Sequence, residues 1–413
     1  MRNQKESKFK IVFVGHVDHG KSTLIGRLLC DTKSITEEKI SEVKTICKQQ
    51  GKQFEYAYLM DHMIEERDQN ITIDTAQIFF KTDAREYVII DAPGHVEFTK
   101  NMITGASQAE AAILIVDANE GIQEQTKRHA KFLSLLGLEQ VIVVINKMDK
   151  VKYKEENYIK VKKELLEFLK KIKITPTFII PISAFKGDNI AKKSDNMDWY
   201  EDKTVLEALE TFKETKNLSN KPFRMPIQDL YKFDEIRIIA GQIASGTIKK
   251  GDEVTFLPKG NKSSIKTIEK MNQQLESASA GENIGITLID PIFVDRGDIA
   301  TQSDNKPKST DEVVGNLFWM SKEPLSIKEN LTLQCATQEI GVFAESITNR
   351  INSSSLKIIE DKSNELKEME IATVKLKADN PVIIEDFNNI PELGRFILIR
   401  NGAVVAGGII TLN

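Results

Sequence analysis

Residues 15–23 read GHVDHGKST. Two glycines bracket four residues and are followed by lysine and serine, so Gly15 to Ser22 satisfies G-x-x-x-x-G-K-[ST] in full. The flanks agree. FKIVFV, just before, has the continuous apolar character of a buried strand, and TLIGRLL, just after, has helical spacing. In this setting the glycines let the backbone turn its N–H groups inward around phosphate oxygens, and the following helix adds its positive end. Lys21 is expected to reach the β- and γ-phosphates and Ser22 to ligate Mg²⁺. His16, Val17, Asp18, His19, Gly20 and Thr23 complete the loop.

Outward from this loop, the first half of the chain repeats the same grammar. YVIIDAPG, AAILIVDA, QVIVVINKMD and TFIIPISA are short, β-branched, nearly continuous apolar runs. They read as strands buried on both faces of a parallel sheet. Helical periodicity lies between them, over 123–138 and 155–171. An α/β doubly wound nucleotide-binding domain follows. The character changes near LSNKPFRMP (218–226), after which alternating strands such as RIIAGQIASG, DEVTFLPKGNK and NIGITLID recur between turns, as in a small β-barrel. SDNKPKSTDE (303–312) is polar, and VVGNLFWM opens a second β-rich stretch. The expected fold is therefore an α/β P-loop domain over 1–218, followed by two small antiparallel β-barrels over 219–308 and 309–413.

The base comes from INKMD, 145–149. It stands at a strand end, where open α/β sheets hold ligands. Asp149 accepts from guanine N1–H and from the exocyclic amine. Adenine offers neither donor, and a site of this kind discriminates by roughly 10⁴ or more. Asn146, Lys147 and Met148 support base and loop, and Ser183-Ala184 complete the purine pocket. The expected ligands are GTP and GDP with Mg²⁺.

Hydrolysis points to DAPGH, residues 91–95. Asp91 is placed to hold the Mg²⁺ shell through water, and Ala92 and Pro93 lead to Gly94, whose N–H can meet the γ-phosphate. His95 is the candidate for orienting the attacking water. EERDQNITID (65–74) is a loop that the γ-phosphate and Mg²⁺ can order, with Thr72 the second protein ligand to the metal. Val17 and Ile71 are apolar neighbours able to screen His95.

The bulk properties narrow the function classes. In 413 residues, 40% are hydrophobic and 29% charged, with a formal net charge of -4. The strongly basic footprint of a protein that lives on nucleic acid is absent. Cys30, Cys47 and Cys335 are scattered and odd in number, as free thiols in a reducing compartment. The first residues, MRNQKESKFK, carry no apolar signal core, and no apolar run is long enough for a bilayer, so a cytoplasmic protein is expected. Arg296 to Asp298 (RGD) reads as a turn between barrel strands, and Phe318 and Trp319 as barrel core.

Together GHVDHGKST, NITID, DAPGH, NKMD and SA, with two trailing barrels, resemble the translational GTPase superfamily, whose best-known members are elongation factors of the Tu and alpha kind. The resemblance runs from Lys8 to Asn413 and implies a GTPase domain plus two barrels. Within it, GKSTLIGRLLCD, IAGQIASGTIKKGDEV, AGENIGITLIDPIFVDRGDIA, FWMSKEPL and ELGRFILIRNGAVVAGG are similar to the large, GTP-hydrolysing subunit of sulfate adenylyltransferase. That likeness implies a separate small subunit as partner, which makes adenylyl sulfate from ATP and sulfate. Two positions depart from that branch: Asn70 stands where Gly is usual, and His19 where Asp is usual and where Tu-type factors carry His. The alternative is a translation factor binding aminoacyl-tRNA or the ribosome.

Overall fold

The computed structural model describes residues 8–60, 77–82, 84–91, 109–213, 218–233, 236–271, 273–302 and 305–412. The chain divides into two compact units, Met1–Glu214 and Thr215–Asn413.

The first unit is built on a six-stranded sheet in the order β2-β3-β1-β4-β5-β6. The strands are β1 Phe9–Gly15, β2 Gln77–Lys81, β3 Glu86–Asp91, β4 Ala111–Asp117, β5 Val141–Asn146 and β6 Phe178–Pro181. Every residue of β4 and β5 is buried, as the unbroken apolar runs require of central parallel strands. Burial of each large aliphatic side chain contributes roughly 1.5–3 kcal/mol. Four junctions, β3-β1, β1-β4, β4-β5 and β5-β6, are parallel. The edge strand β2 runs antiparallel to β3, which the reading of an all-parallel sheet did not foresee.

Helices α1 Lys21–Asp31, α2 Glu37–Gln49, α3 Glu124–Leu135, α4 Glu155–Lys171 and the short α5 Val205–Leu209 accompany the sheet. In α4, Tyr158, Val161, Leu165, Phe168 and Leu169 recur at helical spacing and are buried. Glu155 and Glu156 in its first turn and Lys170 and Lys171 in its last complement the helix dipole. Helix α5 is fixed by a capping box between Thr204 and Glu207.

The second unit contains two closed six-stranded antiparallel barrels. The first runs Glu253–Leu257, Ile299–Gln302, Arg224–Phe233, Ile236–Gln242, Asn283–Leu288 and Asn261–Lys270, and closes where Glu253–Leu257 pairs with Asn261–Lys270. Its interior holds Met225, Ile239, Val254, Phe256, Ile268 and Ile286. The second runs Asn330–Cys335, Arg395–Arg400, Ala403–Ile410, Lys308–Trp319, Glu370–Ile384 and Gln338–Asn352, closing between Asn330–Cys335 and Gln338–Asn352. Trp319 is buried in the interior of that barrel, and Phe318, its neighbour on the opposite face of the strand, is buried as well. Closure leaves neither barrel with an open edge along its main strands. Buried Arg224 ties the barrels together: its guanidinium donates to Glu385 Oε1 at 2.7 and 2.9 Å and to Thr301 Oγ1 at 2.8 Å.

Candidate nucleotide site

Parallel register brings the motifs to one edge of the sheet. Gly15 of β1 sits opposite Ile115 of β4, Asp117 of β4 opposite Asn146 of β5, and Ile145 of β5 opposite Pro181, two residues before Ser183. Because these strands are parallel, their carboxyl ends all open on the same side, where open α/β sheets place ligands.

The loop out of β1 is shaped by its backbone. Asp18 takes a left-handed conformation (φ 64°) and Gly20 another (φ 91°). Gly20 is obligatory twice over: its φ strains any residue with a Cβ, and a Cβ there would collide with Asn146 Nδ2. Helix α1 starts directly after Gly20. It has no side-chain cap and no acidic residue in its first turn, so Lys21, Ser22 and Thr23 begin a helix whose N-terminal N–H groups present positive potential. A phosphate is the natural complement. Ser22, half-buried in that turn, offers a hydroxyl of the kind Mg²⁺ accepts beside nucleotide phosphates.

Asn146 stitches this loop to the base side. It is buried; its Nδ2 donates to the His19 carbonyl at 2.8 Å, and its Oδ1 accepts from the Ala184 N–H at 2.9 Å. Ser183 Oγ donates to Asp149 Oδ1 at 2.6 Å, and the Lys186 N–H donates to Ser183 Oγ at 3.2 Å. Met148 is buried, its N–H donating to the Ile182 carbonyl. Asp149 is thus oriented from behind by a hydroxyl. Lys147 adopts a left-handed conformation (φ 64°), and its ammonium lies 2.7 Å from Asp117 Oδ2.

Two participants, Asp117 and His129, escaped the motif reading. Asp117 closes β4 and is 2% exposed. Burial alone would raise its carboxyl, but hydrogen bonds from Lys147 and from the Asn119 and Glu120 amides outweigh it and hold the group below its ordinary range. The Asp117 N–H donates to His19 Nδ1 at 3.3 Å, and His19 Nε2 lies 3.4 Å from Glu120. His129, on α3, is buried behind the loop. Burial first, then the nearby Lys21 and His16, push its imidazole down to about 4, against an opposing hydrogen bond with the Gly15 backbone. The strand-end rule that selected Asn146 would also have selected Asp117. His129 left no local signal, because only packing of α3 on the sheet brings it to the loop.

The structure therefore brings together Gly15, His16, Val17, Asp18, His19, Gly20, Lys21, Ser22 and Thr23 with Asn146, Lys147, Met148, Asp149, Ser183 and Ala184. The backbone of Asp91 ends β3 opposite Phe13. Its side chain, together with Thr72, Ala92, Pro93, Gly94 and His95, lies outside the described residues.

A P-loop domain joined to two closed barrels defines a GTPase of the translational class, which binds GTP and GDP with Mg²⁺. Residues 6–215 match the elongation factor Tu GTP binding domain, 237–300 match elongation factor Tu domain 2, and 312–411 match the GTP-eEF1A C-terminal domain-like family. The chain is 40% identical over 419 residues to elongation factor 1-alpha of Nanoarchaeum equitans, covering 98% of this chain and 96% of that protein. It is 38% identical to the elongation factors 1-alpha of Methanoculleus marisnigri, covering 97% of this chain and 96% of that protein, and of Methanocaldococcus jannaschii, covering 96% of each. The chain belongs to the elongation factor 1-alpha family.

This overturns the expectation of a sulfate adenylyltransferase large subunit, and with it the small adenylyl-transferring subunit as partner. Four of the five segments behind that expectation are barrel scaffold; the fifth, GKSTLIGRLLCD, is Gly20 with helix α1 and belongs to the phosphate loop. IAGQIASG and NIGITLID contribute Ile239, Ile243, Ile284 and Ile286 to the barrel interior. Such alternation answers to barrel packing and does not discriminate between branches that share the barrel. His19, which departed from that branch, has its carbonyl and ring built into the buried network.

Among the described residues, no helix is long and apolar enough to cross a membrane.

Proposed function

We propose that the protein is an elongation-factor GTPase that carries aminoacyl-tRNA to the ribosome, using GTP hydrolysis to end the encounter. The observation that carries this reading is the end-to-end likeness, at 38–40% identity, to proteins named elongation factor 1-alpha. We assign the site as follows. The Gly15–Thr23 loop wraps the phosphates, Lys21 neutralises the β- and γ-phosphates, and Ser22 and Thr72 ligate Mg²⁺, with Asp91 holding the metal through water. Asp149 accepts from guanine, with Asn146, Lys147, Met148, Ser183 and Ala184 forming its frame. Ala92 and Pro93 lead to Gly94, whose backbone N–H meets the γ-phosphate, and His95 orients the attacking water. We assign the GTPase domain to 1–218 and the barrels to 219–308 and 309–413.

The arrangement supports hydrolysis by positioning and electrostatics rather than covalent chemistry. Lys21 and the α1 N-terminus would meet the charge that develops on the phosphate oxygens. His95 would hold water in line without needing to become a strong base.

The test is ternary-complex formation. Charged tRNA mixed with GTP-loaded protein is expected to resist spontaneous deacylation, while GDP-loaded protein leaves the ester lifetime unchanged. Equal deacylation in the GTP and GDP arms would overturn the tRNA role, yet leave guanine binding standing.

A further inference from the structure

Away from the nucleotide loop, the first unit carries a cavity of about 710 Å³ between α4, the edge strand β6 and the 199–202 segment. Its base is aromatic. Tyr158 and Trp199 have ring centroids 5.2 Å apart, and Tyr200 stands edge-on to both, at 6.3 and 6.4 Å. Each ring is held by its polar tip from within the chain. Tyr158 donates to the Ile179 carbonyl at 2.8 Å, Trp199 Nε1 to the Tyr153 carbonyl at 3.1 Å, and Tyr200 to the Lys203 carbonyl at 3.0 Å. The tips are thus spent and the trio is preorganised, which lowers the cost of binding.

The rim is acidic. Glu155, Glu201 and Asp202 line the cavity against a single lysine, Lys162, a net charge of -2 (three carboxylates less one ammonium). All three carboxylates are exposed, and among the described residues none of them is in an ion pair. Lys162, one helical turn on from Tyr158, sits 5.2 Å over that ring, a cation–π arrangement within this surface. Burial and then the neighbouring Asp202 push the Tyr200 hydroxyl up, a sign of the same negative field. Beside the rings, Ile159 (53% exposed) and Leu166 (39%) lie one heptad apart on α4 and leave an apolar strip next to the acidic rim.

We propose that this cavity docks a basic peptide segment of a partner protein, with a lysine or arginine side chain among the Tyr158, Trp199 and Tyr200 rings and an apolar neighbour on Ile159 and Leu166. Charge decides for a cationic peptide over nucleic acid: the rim would repel phosphates, while opposite potentials steer and orient a basic segment. The rings add a contact specific for ammonium and guanidinium groups.

The experiment uses the full chain loaded with GDP and follows the two tryptophan indole N–H signals by NMR. Trp319, fully buried in the second barrel, serves as an internal control. The probes are an acetylated hexapeptide alternating leucine and lysine, its leucine–glutamate counterpart, and poly(U). The lysine peptide is expected to shift the Trp199 indole saturably and leave Trp319 still, with affinity falling as salt rises. The variant E155Q/E201Q/D202N, which alters exposed side chains only, is expected to bind it about tenfold more weakly, with a melting temperature lowered by no more than the loss of the Glu155 charge from the first turn of α4 accounts for. A silent Trp199, an equal response to the glutamate peptide or to poly(U), or wild-type affinity in the triple variant would each overturn the proposal.

Discussion

Replacing Asn146 with alanine removes a buried side chain that joins the phosphate loop directly to the base pocket. Two bonds disappear, from Asn146 Nδ2 to the His19 carbonyl (2.8 Å) and from the Ala184 N–H to Asn146 Oδ1 (2.9 Å). Asn146, His19 and Ala184 are all buried, so water cannot readily replace the lost partner. An orphaned buried polar group costs roughly 1–3 kcal/mol, and two are orphaned here, giving a combined loss of about 2–6 kcal/mol. The loss divides between folding and binding according to how far the loop relaxes when no nucleotide holds it. Both terms therefore have to be measured: urea unfolding of the GDP-loaded and stripped proteins, and GDP affinity by calorimetry. The expected sum is at least about 2 kcal/mol, equivalent to roughly thirtyfold in affinity if it falls wholly on binding. If stability and GDP affinity both stay within about 0.5 kcal/mol of wild type, Asn146 is not the stitch and the argument from its two bonds is wrong.

Asp149→Asn is expected to shift preference from guanine to xanthine nucleotides, since xanthine presents a carbonyl where guanine has its amine; competition binding with GDP and xanthosine diphosphate measures it, and retained GDP preference contradicts the pocket assignment. His129 has its imidazole lowered from about 6.5 to about 4, so the unfolded chain binds the extra proton first. Its contribution is complete above the unfolded value, near pH 6.5, and is lost as pH falls toward 4, amounting at most to about 3 kcal/mol. His129→Gln should flatten the stability–pH slope in that window, and an unaltered slope by denaturant titration would refute the assignment. His95→Ala is expected to slow GTP hydrolysis by about 10²–10³ with little change in GTP affinity, as befits a group that positions water; a collapse of affinity in the binding assay would make its role structural.

The amino-acid order by itself determined the local devices of this protein. Gly15 to Ser22 announces the phosphate loop because only glycine tolerates the conformation at Gly20, and that constraint is local to the chain. The unbroken apolar runs at 111–116 and 141–145 announce central parallel strands for a similar reason: burial on both faces leaves no polar position to alternate. The proposed choice of guanine rests likewise on one side chain, the carboxylate of Asp149.

Tertiary structure decided what depends on partners far along the chain. QIFFK became an antiparallel edge strand because β3 offered a free edge, not because its residues say so. Lys147 and Asp117 pair across 30 residues through the β4–β5 register, and His129 reaches the loop only through the packing of α3. The barrel segments misdirected the choice of branch for the same physical reason. Their isoleucines and turns answer to closure and core packing, needs that any such barrel shares, whereas partner choice resides in surfaces assembled from distant residues, such as the meeting of Tyr158 with Trp199 and Tyr200.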